Sequence, residues 1–172
     1  RKAVRPPGDI RDEAHCAGLV DAAFREFGHL DILVNNAAFQ RTYERIEDVS
    51  TEEFDRTFRT NVYATFWLCR AALPRMQPGS TIINTASIQA YKPSPTLVAY
   101  APTKAAIVNF TKLLSESAMK QGVRVNAVAP GPVWTPLIPS TMPEESVKKF
   151  GADTQFERAA QPVEIAPLFV FL

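Results

Sequence analysis

Apolar positions along the chain alternate between short continuous runs and longer runs with helical spacing. In residues 12–27 they recur every three or four positions, which predicts an amphipathic helix closed by Gly28. Residues 31–35 are apolar on consecutive positions and too short for a helix, as expected for a parallel strand covered on both faces. Similar runs at 80–85 and 123–129 predict two further strands.

Two longer segments with helical spacing separate the predicted strands. The first runs from residue 51 to about 76, opens with a capping box that begins at Ser50 and is expected to kink near Pro74. Its predicted apolar face consists of Phe54, Phe58, Val62, Phe66, Cys69 and Leu73. The second runs from about 98 to 120 and ends at Gly122. Because parallel neighbours need crossovers of this length, the pattern predicts an α/β fold, a doubly wound parallel sheet with helices on both faces.

The two ends of the sequence do not match a complete domain of this kind. The chain opens without a strand, and it stops at Phe169–Leu172 inside an apolar helical pattern that has no capping residue. We therefore expect residues 1–172 to form a single incomplete domain.

Composition narrows the classes of function. With 46% apolar and 22% charged residues and a net charge of +1, we expect a globular protein with no nucleic-acid partner. No apolar run is long enough for a membrane span and no signal peptide is recognisable, so we expect no membrane partner and a cytoplasmic location. Cys16 and Cys69 stand alone without clustered histidines, which indicates reduced structural thiols and no metal site.

Candidate chemistry is expected where the predicted strands end, because ligands of open α/β sheets bind at the carboxyl ends of strands. The segments that follow the three strands are Asn35–Ala37, Ala86–Ser87 and Pro130–Thr135. Plain turns are the alternative interpretation of the first and the last, since both are rich in turn-forming residues.

Tyr100 and Lys104 are four residues apart at the start of a predicted helix, so their side chains share a face. A nearby ammonium group favours the phenolate, and this pair can therefore act as a general acid and base near neutral pH. The alternative is a solvated helix face, because one such pair has a sizeable chance of arising at random.

Two further polar residues have both a structural and a chemical interpretation. Ser87 lies thirteen residues before Tyr100 and can hydrogen-bond a substrate oxygen, or it can cap a turn. Asn61 lies in a helical segment where it is a poor helix former, so it is either a buried amide that holds the sheet or the holder of a water relay to Lys104.

Taken in order along the chain, the motifs resemble those of the classical short-chain dehydrogenase/reductase family. They are Gly-Asp-Ile-Arg-Asp12, Leu-Val-Asn-Asn-Ala37, Asn61, Ile-Asn-Thr-Ala-Ser87, Tyr100-x-x-x-Lys104 and Val-Asn-Ala-Val-Ala-Pro-Gly131. The segments 40–61 and 132–139 are similar to those of general-stress and glucose-dehydrogenase-type members.

The resemblance implies a Rossmann-type domain that transfers a hydride between NAD(P) and a secondary alcohol or carbonyl compound. It assigns the acid/base role to Tyr100, support of its pKa and ribose binding to Lys104, substrate orientation to Ser87 and the relay water to Asn61. It also implies that cofactor-binding positions are Asp9, Asn35, Ala37, Tyr100, Lys104, Pro130, Gly131, Val133 and Thr135.

The sequence departs from the family pattern at three points. It contains no Thr-Gly-x-x-x-Gly-x-Gly turn, so we expect the first βαβ unit to be missing, and we expect the same of the last strand. Pro102 falls between Tyr100 and Lys104, where it is compatible with a helix only in the first turn.

Several alternatives stay open at this point. A catalytically silent nucleotide sensor or scaffold on the same fold, or an inactive fragment, competes with the oxidoreductase. A Ser/Lys hydrolase is disfavoured because no Gly-x-Ser-x-Gly elbow is present. The resemblance alone favours NADP slightly over NAD and implies a dimer or tetramer, while the substrate is not readable from the sequence.

Overall fold

A computed structural model describes residues 2–172 of the chain. Its three parallel strands form one sheet in the order β1-β2-β3. They are β1 (Ile32–Asn35), β2 (Thr81–Thr85) and β3 (Arg124–Val128). In the register, Leu33 pairs with Ile82, which pairs with Val125 on its other side. The three strands predicted from the sequence are thus confirmed.

Seven α-helices accompany the sheet in the described part of the chain. They are α1 (Glu13–Phe27), α2 (Thr51–Phe58), α3 (Ala64–Ala72), α4 (Tyr100–Met119), α5 (Leu137–Thr141), α6 (Glu144–Lys148) and α7 (Pro162–Phe171). A π-helical turn, Arg59–Tyr63, joins α2 to α3. Short 3-10 turns lie at Ile46–Asp48, Leu73–Arg75 and Ile88–Ala90.

Local sequence signals explain where the main helices begin and end. The Asp12 carboxylate accepts from the amide of Ala14 at the start of α1, and Gly28 ends that helix in the left-handed region at φ 81°. Ser50 Oγ accepts from the amide of Glu53 at the start of α2. Helix α4 begins at Tyr100, so Pro102 lies in its first turn, as required for a usable pair of Tyr100 and Lys104.

The core lies on one face of the sheet. Leu33, Ile82 and Val125 project from the three strands onto apolar side chains of α1, α3 and α4. The helical residues of this core include Val20, Cys69, Ala72, Phe110, Leu114 and Ala118. Helices α3 and α4 lie in the two crossovers between the strands, and α1, which precedes β1, packs against α3, so together they cover this face.

The other face of the sheet is only partly covered, which corrects the expectation for β1. Helix α7 reaches this face at β2, where Thr81 Oγ1 donates to the carbonyl of Leu172. Ile32 and Val34 of β1 are 59% and 44% exposed, because they alternate with Leu33 and Asn35 and point away from the core. Strand β1 is therefore covered on one face and not on both.

The apolar face predicted for residues 51–76 is also partly wrong. Phe54 and Phe66 are exposed, whereas Thr57, Asn61 and Thr65 are buried. These three polar residues form hydrogen bonds inside the protein, which compensates their burial and turns the aromatic side chains outward. The expected kink near Pro74 is instead a change from α-helix to a 3-10 turn.

Among residues 2–172, no helix has both the length and the apolar character needed to cross a membrane. Cys16 and Cys69 are both free and buried, as expected of structural thiols.

Candidate active site

A cavity of about 1070 Å³ opens where the three strands end. The strand-end residues that line it are Asn36, Ala37, Thr85, Ala86, Ser87, Pro130, Gly131, Val133 and Thr135. The three segments singled out in the sequence therefore converge on one space. Residues of α5 and α7, among them Ile138 and Phe169, form the opposite wall.

Tyr100 and Lys104 lie one helical turn apart at the start of α4, and both line this cavity. Tyr100 is 8% exposed and Lys104 is 2% exposed. Lys104 Nζ lies 5.4 Å from the centre of the Tyr100 ring and donates to the carbonyl of Thr85 at 2.7 Å. The solvated-face interpretation of this pair is therefore wrong.

Burial dominates the electrostatics of the pair. It lowers the pKa of Lys104 to about 8, since an ammonium loses hydration there. It raises the pKa of Tyr100 to about 12, and a contact with the Ser87 hydroxyl lowers that pKa by a smaller amount. The expectation that Lys104 brings the pKa of Tyr100 below its usual value is thus not met in this structure.

Ser87 combines the two interpretations that its sequence position allowed. Its Oγ accepts from the amide of Gln89 and caps the short turn Ile88–Ala90. The side chain also lines the cavity beside Tyr100. Because the amide occupies one lone pair of the oxygen, the hydroxyl proton stays available to donate to another oxygen.

Asn61 lies in the π-helical turn, and its buried amide joins two parts of the site. Its Oδ1 accepts from the amide of Phe39 at 2.8 Å, and its Nδ2 donates to the Phe39 carbonyl at 2.9 Å and to Thr103 Oγ1 at 3.0 Å. Thr103 Oγ1 donates in turn to the Tyr100 carbonyl at 2.6 Å. Asn61 is thus a buried amide, as one of its two interpretations held, but it ties the loop after β1 to the first turn of α4 and not to the sheet.

The structure places Asn35 and Asp9 outside the cavity lining. The Asn35 amide donates to Asn84 Oδ1 at 2.8 Å on the core side of the sheet. The Asp9 carboxylate is exposed and accepts from the amide and the guanidinium of Arg11, which holds its pKa at about 2. Asp9 therefore holds a local turn through Arg11 and lies away from the cavity to which the resemblance assigns it.

Within the candidate segment Asn35–Ala37, Asn36 lines the cavity and Asn35 does not, because successive side chains along a strand point to opposite faces. Ala38, Gln40 and Thr42 of the same loop also belong to the lining but were not singled out in the sequence. Gln40 also lines the cavity, is buried, and donates from Nε2 to Thr141 Oγ1 at 3.0 Å. No sequence signal connects Gln40 with Thr141, since they are 101 residues apart.

Comparisons with known proteins agree with this geometry. General stress protein 39 of Bacillus subtilis (strain 168) is 50% identical over 99% of this chain and 60% of its own length. The glucose and ribitol dehydrogenase of Daucus carota is 51% identical over 95% of this chain and 56% of its own length. The crystal structure of 3-ketoacyl-(acyl-carrier-protein) reductase from Brucella melitensis complexed with NADH has a TM-score of 0.86 and 33% identity, covering 96% of this chain and 68% of that one.

These comparisons also fix the extent of the match. The chain spans about 60% of the length of the curated relatives it matches. The family model described as Enoyl-(Acyl carrier protein) reductase matches residues 1–172. The cavity at the strand ends and the buried Tyr100 and Lys104 agree with these matches. The chain belongs to the short-chain dehydrogenase/reductase family.

Proposed function

We propose that this chain carries the catalytic site of an oxidoreductase that transfers a hydride between NAD(P) and a secondary alcohol or carbonyl compound. The observation that carries the proposal is the convergence of Ser87, Tyr100 and Lys104, all buried, on one cavity at the strand ends. Relatives named as dehydrogenases and reductases support the same class of reaction.

The residues around the cavity fit a nicotinamide nucleotide. Among the described residues, Lys104 Nζ donates one hydrogen bond, to Thr85, so two of its three N–H groups are available for ribose hydroxyls. The other lining residues that the family resemblance assigns to the cofactor are Ala37, Pro130, Gly131, Val133 and Thr135. Asp9 and Asn35 lie outside the cavity, and the proposed nucleotide site does not include them.

In the proposed reaction Tyr100 is the general acid and base. In the direction of reduction its hydroxyl gives a proton to the substrate oxygen, and in the direction of oxidation its phenolate takes the proton back. Ser87 donates a hydrogen bond to the same oxygen and orients it. The nucleotide, when bound, supplies or accepts the hydride, and the positive charge of its oxidised ring favours the phenolate.

Lys104 and Asn61 support the proton transfer. At pH 7 Lys104 is mostly charged, since its pKa is about 8, and its ammonium stabilises the phenolate that forms when Tyr100 gives up its proton. For Asn61, whose two Nδ2 hydrogens are donated to Phe39 and Thr103, we propose the role that the family resemblance assigns, which is to hold the relay water that leads to Lys104.

The finer assignments rest on family resemblance. We propose NADP as the preferred nucleotide, a dimer or tetramer as the active assembly and the cytoplasm as the location. The relative named as glucose and ribitol dehydrogenase makes sugars and polyols the first substrates to assay.

The test is nucleotide binding and turnover by the full-length protein. We expect NADH or NADPH fluorescence to report binding, and Tyr100→Phe to lower kcat by about 10³-fold with little change in nucleotide Kd, because the acid/base is lost and the ring is kept. Tyr91→Phe is the matched control, since Tyr91 is exposed. Turnover that survives in Tyr100→Phe would refute the proposal, and nucleotide binding without turnover in the natural protein would favour the silent sensor.

A further inference from the structure

An isolated parallel bridge outside the sheet joins Val133 to Ala160. In this bridge the amide of Trp134 donates to the carbonyl of Ala160 at 2.8 Å, and the amide of Ala160 donates to the carbonyl of Pro132 at 2.9 Å. Neither hydrogen bond uses the peptide groups of Val133, which lies between the two bonded residues and lines the cavity. The bridge therefore fixes Val133 and leaves its own N–H and C=O groups free to face away from Ala160.

Side chains on both sides of Ala160 hold its segment in place. Arg158 donates from Nη1 and Nη2 to the two carboxylate oxygens of Glu164, both at 2.8 Å. Glu164 Oε2 also accepts from the amide of Gln161 at 2.7 Å and so closes the capping box of α7. Arg158 Nη1 further donates to the carbonyl of Ala159 at 3.1 Å. The backbone from 159 to 161 is thus enclosed by one bidentate ion pair.

Close packing at Gly151 also restrains the segment 158–161. Gly151 has φ 87°, and a Cβ atom there would lie 2.3 Å from the amide nitrogen of Ala159. The single hydroxyl proton of Thr154 is shared between the carbonyls of Gly151 at 2.8 Å and of Arg158 at 3.0 Å. The bridge to Val133 therefore starts from a backbone that has little freedom to shift.

From these contacts we propose that Arg158, through its fork with Glu164, is a positioning residue for the nicotinamide end of the nucleotide. The fork fixes residues 159–161, and the bridge passes this geometry to residues 132–134. Val133 lines the same cavity as Ser87 and Tyr100, where the proposed hydride transfer requires the nicotinamide ring. The identity of the ligand rests on the proposed function, whereas the coupling between fork and bridge does not. An exposed ion pair adds little to global stability, so its removal is expected to act locally.

The coupling is tested on the full-length protein without nucleotide, by amide hydrogen exchange. In Arg158→Met we expect the amides of Trp134 and Ala160 to exchange about tenfold faster, because the opening of the bridge becomes easier, and those of β2 to stay unchanged. Lys148→Met is the matched control, since it removes an exposed ion pair with Glu144 and Glu145 that has no link to the bridge. Unchanged exchange at Trp134 and Ala160 would overturn the proposal.

Nucleotide specificity of the effect is tested by titration with NADPH, with NADH and with ADP-ribose, which lacks the nicotinamide ring. We expect Arg158→Met to raise the Kd of the dinucleotides about tenfold and to leave that of ADP-ribose within about twofold, because the proposal places only the ring end of the nucleotide against Val133. Arg158→Lys should recover part of the affinity, since lysine restores the charge without the two parallel bonds. Equal weakening of all three ligands would indicate a general structural role and overturn the proposal.

A second variant covers the case in which Arg158→Met does not fold. Glu164→Gln keeps an acceptor for the amide of Gln161 and removes the ion pair, and we expect the same pattern of exchange and affinity. If the natural protein binds neither dinucleotide, the proposed function fails, while the exchange measurement still decides whether the fork holds the bridge.

Discussion

The first turn of α4 and the segment from Pro132 to Glu164 line the same cavity, yet they are held in different ways. In α4, helical spacing alone puts Tyr100 and Lys104 on one face. The other segment depends on a bridge between Val133 and Ala160 and on the packing of Gly151. The proposed acid/base pair is thus positioned by a local sequence pattern, whereas the cavity wall formed by residues 132–164 is positioned by contacts between distant residues.

The largest expected effect is at the locally specified turn. Lys104→Met removes the ammonium to which the proposed function assigns stabilisation of the phenolate and binding of the ribose, and we expect kcat/KM to fall by about 10²- to 10⁴-fold. Steady-state kinetics at saturating nucleotide measure this, with Lys112→Met on the exposed face of α4 as the control. Retained turnover would mean that the spacing of Tyr100 and Lys104 is structural after all.

Lys104→Met is expected to raise the stability of the protein although it lowers activity. The pKa of Lys104 falls from 10.5 to about 8 on folding, so between these values the unfolded chain holds more protons than the folded protein. Burial of the charge therefore costs stability at pH 7, and Lys104→Met should raise the free energy of unfolding there by about 2 kcal/mol after loss of the bond to Thr85. The gain should shrink as pH rises towards 10 in urea denaturation. An equal gain in the free energy of unfolding at pH 7 and at pH 10 would contradict the assigned pKa of Lys104.

The locally specified turn of α4 is tied by Asn61 to Phe39 in the loop after β1. Asn61→Ala leaves both peptide groups of Phe39 without their partner, and we expect a loss of about 3 kcal/mol in the free energy of unfolding. Urea denaturation measures the loss, and Asn109→Ala, on the exposed side of α4, should change it by less than about 0.5 kcal/mol. Similar effects of both variants would argue against the network.

A pair of glycine variants sharpens the contrast between local and distant control. Gly151→Ala should cost about 2 kcal/mol, because it adds a clash with Ala159 at a positive φ. Gly18→Ala, inside α1 with nothing within 4 Å of the new Cβ, should gain up to about 1 kcal/mol from helix propensity. Thermal unfolding of the two variants should shift in opposite directions, and a shift in the same direction would contradict this account.

The smallest expected effect is at the hydrogen bond between Gln40 and Thr141. Thr141→Val removes the acceptor and should cost about 1 kcal/mol. Amide hydrogen exchange measures where stability is lost. We expect faster exchange in α5 and no change in α4. Unchanged exchange in α5 would show that Gln40 does not hold that helix.

Prediction from sequence succeeded where the signal is short in range. The strands, the limits of α1 and α4 and the first-turn position of Pro102 follow from periodicity and capping residues. It failed for residues 51–76, because Thr57, Asn61 and Thr65 are buried and hydrogen-bonded inside the protein. A pattern of apolar positions cannot identify buried polar residues. Prediction from sequence also misplaced Asn35, whose amide belongs to the core side of the sheet.

The sequence by itself determined the strand–helix alternation, the family and the pair of Tyr100 and Lys104, because each depends on spacing within one segment or on motif order. Tertiary structure decided that burial raises the pKa of Tyr100, that Gln40 meets Thr141 and that Arg158 holds the bridge to Val133. Burial and long-range pairing depend on which segments fold against one another, and no local pattern contains that information.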